Sequence, residues 1–165
     1  MQRGLSLVEV LVALVVLQVG LLGIAGLLVE GLRASRMALL HTQAVHLAAD
    51  MAERIRANPA ARAAHATSSY VPAPARHDCV PSTGTPGRSC SEAQLAEDEL
   101  ARWREAVGRA LPSPSDPAAA ARVEFEPGAG ADLPDRYTIR IVWQGPGAEQ
   151  REVGTSLVML PALPP

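Results

Sequence analysis

The chain has 165 residues, a formal net charge of −2 and 48% apolar residues, of which aromatics make up only 3% of the whole. No basic tract of the kind that tracks a phosphate backbone is present, so nucleic acid is excluded as a partner class. With roughly 30 residues taken by an apolar N-terminal segment, one modest domain remains, its core built from Leu, Val and Ala rather than from large rings.

The first element begins at once. After Met1-Gln-Arg-Gly4 an apolar run extends from Leu5 to Val29. As a helix it is ~37 Å long, enough to cross a bilayer. It is too long for the core of a cleaved secretory signal, and no small-residue cleavage site follows it promptly. Arg3 ahead of the span favours an N-in orientation; Arg33 and Arg36 follow it, so the charge bias is slight. On that orientation everything from about Gly31 onward is exported. Within the run stands one carboxylate, Glu9. An ionised side chain costs roughly 2.5–3.5 kcal/mol at the centre of a membrane helix and less near its end. A plain anchor has no use for it, so Glu9 predicts a partner. Removal of a short leader at Gly4–Leu5 creates one: a new amine on Leu5, one helical turn from Glu9 in the same chain or opposite it in a staggered neighbour. A buried charge is tolerable mainly when paired in this way.

The stretch R-G-L-S-L-V-E-V-L-V-A-L-V-V-L resembles the class III leader and N-terminal helix of the type IV pilins and pseudopilins. The resemblance implies that a prepilin peptidase cleaves between Gly4 and Leu5 and methylates the amine of Leu5. It also implies that Glu9 directs subunit docking. The family's usual Phe after the cut is Leu5 here. Gly20, Gly23 and Gly26 lie in the second half of the span. They either let neighbouring helices approach closely or make that part of the helix easy to melt.

The helical pattern continues past the interface. Met37, Leu40, Ala44, Leu47, Met51 and Ile55 recur at spacings of three and four, an apolar stripe. Arg33, Arg36, Gln43, His46, Asp50 and Glu53 lie on the other side. Asn58-Pro59 ends the helix, since proline cannot continue the ladder and restricts the residue before it. Residues 60–88 show no sustained periodicity and read as a surface loop. Cys79 and Cys90 are the two cysteines. In an exported domain an isolated pair predicts a disulfide, worth ~3 kcal/mol in the chain-entropy model. Metal binding is the competing reading, but no C-x-x-C or Cys/His cluster supports it.

Ser91 and Gln94 form an S-x-x-Q capping box. Ala96, Leu100, Trp103, Val107 and Leu111 then make a second helical stripe, with acidic residues early and arginines late, which suits the macrodipole. Pro112 ends it, and 113–117 is a connector. Residues 122–126 read as a short strand. Residues 137–143 read as a longer one, with Tyr137, Ile139, Ile141 and Trp143 on one face. Residues 144–150 read as a turn-rich loop. Residues 151–160 alternate again, with Val153, Thr155, Leu157 and Met159 together. The predicted fold is α+β and pilin-like. A long N-terminal helix, with a membrane half and an amphipathic half, packs on a small antiparallel sheet of three or four strands. The predicted division is leader 1–4, transmembrane half 5–30, exported amphipathic half 31–58 and periplasmic globular domain 59–165.

No catalytic site is predicted. His41 and His46 are five apart, not the four of a helical metal pair, and no H-E-x-x-H or G-x-S-x-G is present. His65 and His77 read as solvated loop residues, and Asp98 with Arg102 as a simple helix pair. No metal or cofactor is implied. The segments H-T-Q-A-V-H-L-A-A-D-M-A-E-R-I-R-A-N-P, W-R-E-A-V-G-R-A-L-P and Y-T-I-R-I-V-W narrow the resemblance to minor pilins of the type IV pilus modification family. That implies a non-enzymatic subunit in the bacterial inner membrane and then in the pilus, taking part in assembly initiation or modification. Its implied partners are other minor and major pilins, the prepilin peptidase and the pilus assembly platform in the inner membrane. A type II secretion pseudopilin carries the same leader and helix and stands as the alternative. A membrane-tethered periplasmic enzyme or binding protein is a third reading; it predicts an uncleaved N-terminus.

Overall fold

A computed structural model describes residues 6–66, 76–80, 86–130, 133–147 and 149–159. The expected cleavage and methylation positions, Gly4 and Leu5, lie outside the described residues. The chain divides into two units, Met1–Leu39 and Leu40–Pro165. One α-helix, α1 (Leu7–Ala57), contributes to both.

In the first unit α1 is a bare helix. Every residue from 6 to 36 is exposed. Backbone hydrogen bonding is satisfied within the helix itself, the one secondary structure that needs no partner strand in an apolar medium. Gly20, Gly23 and Gly26 are all helical, and a Cβ added at any of them would meet nothing within 4 Å.

The second unit has a conventional core. Along α1 the buried residues are Leu40, Ala44, Ala48, Met51, Ala52 and Ile55, at helical spacing. Three of the six are alanine, so neighbouring elements approach the helix axis closely. The closest consequence is Trp103, 1% exposed, whose Nε1–H donates to the Leu47 carbonyl of α1 at 2.8 Å. A large indole is thereby buried with its one polar atom satisfied. Trp103 belongs to the second helix, α2 (Glu92–Ala110), which starts at the expected capping box: Ser91 Oγ accepts from the Gln94 amide, and the Gln94 side chain accepts from the Ser91 amide. Ala96, Leu100, Trp103, Val107 and Leu111 are all buried, so the stripe read from the sequence is the core face.

The sheet has three strands in the order β1-β2-β3, both pairs antiparallel. β1 is Ala121–Glu126, β2 Asp135–Gln144 and β3 Gln150–Met159, each slightly displaced or extended from its expected bounds. Strand β2 lies in the middle because it has the most apolar inner face: Tyr137, Ile139, Ile141 and Trp143 are each at most 1% exposed. Across the sheet Phe125, Tyr137 and Leu157 form one row, and Val123, Ile139 and Thr155 the next. These rows pack with the buried face of α1 and with Leu100, Trp103 and Val107 of α2 into one cluster.

Two expectations are corrected here. Residues 60–88 are not uniformly a surface loop. Pro59–His65 forms a pair of tight 3-10 turns that meet at Arg62, whose φ of 41° and ψ of −113° interrupt the helical path. His65 is not solvated: its exposure is 0%. The reason is local. Proline stops α1 but is well suited to begin a turn, and the turn folds His65 back toward the end of the helix instead of out into water.

Candidate docking surface

The first unit presents its chemistry by exposure. Leu7 is 88% exposed, and Leu11, Val12, Val16, Leu17, Leu22, Leu27 and Leu28 are also open. Isolated apolar residues on a surface are ordinary; a contiguous apolar surface of this size marks contact with a membrane or with other proteins. α1 is long and apolar enough to cross a membrane.

Glu9 lies in the first turn of α1, where the positive end of the helix dipole favours a carboxylate. Val10 N–H bonds to the Ser6 carbonyl at 3.2 Å, so the helix is already formed around it. Glu9 shares one face with Val10, Ala13, Leu14 and Leu17, which line a shallow groove. The small side chain of Ala13 makes the dent between its larger neighbours. Among the described residues no cation lies within ion-pair distance of Glu9. By contrast Glu30, at the other end of the apolar stretch, has Arg33 at 3.7 Å, with both side chains well exposed. Among the described residues Glu9 is therefore a carboxylate without a cation, beside an apolar groove.

The second unit holds a different kind of site, which the sequence showed only in part. Cys79 and Cys90 form a disulfide. The segment leading into it is fastened to α2 by carboxylates. Asp98 has 0% exposure and accepts from Arg102 Nε at 2.9 Å, from the His77 amide at 3.0 Å and from the Asp78 amide at 3.2 Å. Burial alone would push the Asp98 carboxyl up. The Arg102 hydrogen bond and the two backbone amides outweigh it and hold the group below its ordinary value. Alongside, His77 Nε2 lies 2.7 Å from Glu97 and Arg76 Nη1 donates to Glu105 at 2.9 Å. So Asp98 is more than one half of a helix pair, and His77 is half-buried rather than solvated. The i,i+4 spacing to Arg102 was visible in the sequence. The two amides come from a stretch without periodicity, and no pattern announced them.

A second clamp joins the Pro59–His65 turn to the sheet. The Arg62 guanidinium donates to both oxygens of Asp135, at 2.9 and 2.8 Å, and Asp135 Oδ1 also accepts from the Gly128 amide at 3.0 Å. The Arg62 bond, and then the Gly128 amide working against burial, hold the Asp135 carboxyl below its ordinary value. Gly128 is required for a steric reason as well, since a Cβ there would come within 2.2 Å of the Leu133 carbonyl oxygen. Among the described residues no group of three potential metal ligands occurs.

Residues 26–101 match a family described as Tt1218-like, type IV pilin Tt1218. Over these residues, just under half of the chain, it is similar to the type IV pilins. The match runs from the later part of the apolar helix through the cysteine segment and the first half of α2, and the long helix with its antiparallel sheet is the pilin-like α+β arrangement. Type IV pilins are structural subunits; of this chain the structure shows an N-terminal helix long and apolar enough to cross a membrane. Glu9 lies ahead of the matched residues. No curated protein and no solved structure matches the chain.

Proposed function

We propose that this chain is a minor pilin of a type IV pilus, similar to the type IV pilus modification protein PilV, that helps initiate or modify assembly. The observation that carries the reading is Glu9: a carboxylate without a cation among the described residues, beside a groove on the exposed apolar stretch of α1. In this reading the chain enters the inner membrane N-in, with residues 59–165 in the periplasm. Prepilin peptidase removes residues 1–4 and methylates Leu5. The helix then leaves the bilayer for the pilus through the assembly platform, with major and minor pilins as neighbours. Glu9 seeks the free amine of an adjacent subunit, and the apolar groove seats that subunit's helix. The buried core and the two carboxylate clamps support a structural role for the second unit, which presents its surface without chemistry of its own.

Intact-mass measurement of the protein recovered from cells, combined with a deletion strain, tests this. A mature chain beginning at Leu5 and heavier by one methyl, with loss of pili or twitching on deletion, is the expected result. Loss of exoprotein release with intact pili would assign the chain to a type II secretion machine as a pseudopilin instead. A functional protein retaining residues 1–4 would contradict both and leave a simple membrane-tethered domain.

A further inference from the structure

Asn58, at the end of α1, links that end to both α2 and the following turn by hydrogen bonds. Its side-chain Nδ2 donates to the Glu92 carbonyl at the start of α2, at 2.9 Å. Its own carbonyl receives the Ala61 amide at 3.3 Å and lies 3.0 Å from His65 Nε2. A carbonyl only accepts, so Nε2 of His65 must carry the proton. The neutral ring then has its lone pair on Nδ1. That atom is buried and has no hydrogen-bond partner among the described residues, and the residue has 0% exposure. The ring packs edge-on against Tyr137, 6.4 Å between centroids and 78° between planes.

We infer that His65 is an acid-sensitive latch: a proton on Nδ1 releases the Pro59–His65 turn from Asn58 and Tyr137 and loosens the junction between α1 and α2. Protonation would place a charge and a second N–H donor at a fully buried atom that has no acceptor among the described residues, which is costly for any buried polar group. The charged groups on the surrounding elements give little relief. Arg62 in the turn is occupied by Asp135 of β2. In the last turns of α1, Arg54 is paired with Asp50 and Arg56 with Glu53. α2 brings Glu92 and Glu99 to its first half, β1 carries Glu124 and Glu126, and Tyr137 is uncharged below its high titration range. The influences on the ring itself are its burial, which lowers its proton affinity, and then the Asn58 carbonyl, which opposes that more weakly.

The sign follows directly. The ring's proton affinity in the fold lies below its ordinary 6.5, so its contribution to stability is complete above that pH and is lost as the pH falls through the lower folded-state value. Asp98 and Asp135, held below 3.8, do not titrate until the solution is more acidic. Glu99 is shifted up by burial, which has the opposite effect: acid relieves it.

The test uses the full chain in detergent micelles. Amide hydrogen exchange is followed by mass spectrometry at pH 7.5 and 5.0, corrected for intrinsic rates. At the lower pH, peptides covering Asn58–Ala66 and the start of α2 are expected to exchange about tenfold faster or more, while β2 peptides keep their rates. His65→Gln, which retains a neutral N–H donor, is expected to lose the response, and Glu99→Gln to keep it. NMR titration of the wild-type His65 ring provides a readout that needs no variant; its midpoint is expected below 6.5 and coincident with the onset of faster exchange. Unchanged exchange in the wild type, a response surviving in His65→Gln, or a ring titrating at 6.5 or above would each overturn the proposal. None of these results depends on whether the chain enters a pilus.

Discussion

The two units solve the problem of apolar surface in opposite ways. Residues 6–36 are all exposed, whereas in the second unit the apolar residues of α1, α2 and the sheet close on one another in one cluster. The same helix takes part in both, so helix propensity does not make the difference. Composition around the helix does. From Leu7 to Val29 the apolar residues go all the way round, as in a helix meant for lipid or for other helices. From Leu40 onward they narrow to one stripe, and alanines on that stripe admit Trp103 and the sheet. Polar groups follow the same division. Asp98 and Asp135 are held within their own unit by arginine and backbone amides, while Glu9 finds no cation among the described residues.

That contrast breaks most readily in the core of the second unit. Trp103→Ala removes a buried indole and its bond to Leu47, and is expected to cost about 3–5 kcal/mol, read as a lowered denaturation midpoint of the full chain in micelles. Next comes the disulfide. Replacing Cys79 and Cys90 together by serine is expected to lower stability by ~3 kcal/mol or less on the chain-entropy estimate. The Asp98 clamp keeps Arg76, His77 and Asp78 on α2, so their amide protection should persist in that variant; its disappearance would show that the disulfide, not the carboxylate, positions the segment.

Acid sharpens the comparison further. The folded-state shifts of Asp98 and Asp135 are both downward, so their stabilisation is complete above 3.8 and fades as the pH falls through the lower folded values. Denaturation midpoints measured from pH 5 to pH 2.5 should drop, and the drop should be shallower in Asp135→Asn. The smallest effect belongs to the first unit. Leu17→Ala should change the denaturation midpoint of the second unit by no more than about 0.5 kcal/mol, because nothing in its own chain buries it. A larger change would mean that the apolar helix supports the core after all.

Periodic features were the legible ones. The end of α1 at Asn58-Pro59, the capping box at Ser91 and Gln94, the α2 stripe and the inner face of β2 each follow from a local rule, and the structure has all of them. What escaped the sequence reading is what depends on contacts between distant segments. His65 sits in an alanine-rich stretch with no pattern, yet a turn begun by Pro59 carries it into the core. Arg62 and Asp135 are far apart in the chain, and so are Asp98 and the amides of His77 and Asp78. Glu9 is the reverse case. It stands out in the sequence because an acid inside an apolar run violates a strong local expectation, and the structure adds the groove beside it.

The most direct test of the pilin account is the fate of Glu9→Ala expressed at wild-type level in the native host. The variant should insert and be processed normally, yet be missing from sheared pili or from the minor-pilin complex, with recovery reduced at least tenfold. Equal recovery of variant and wild type would contradict the account, because the carboxylate would then have no part in bringing subunits together.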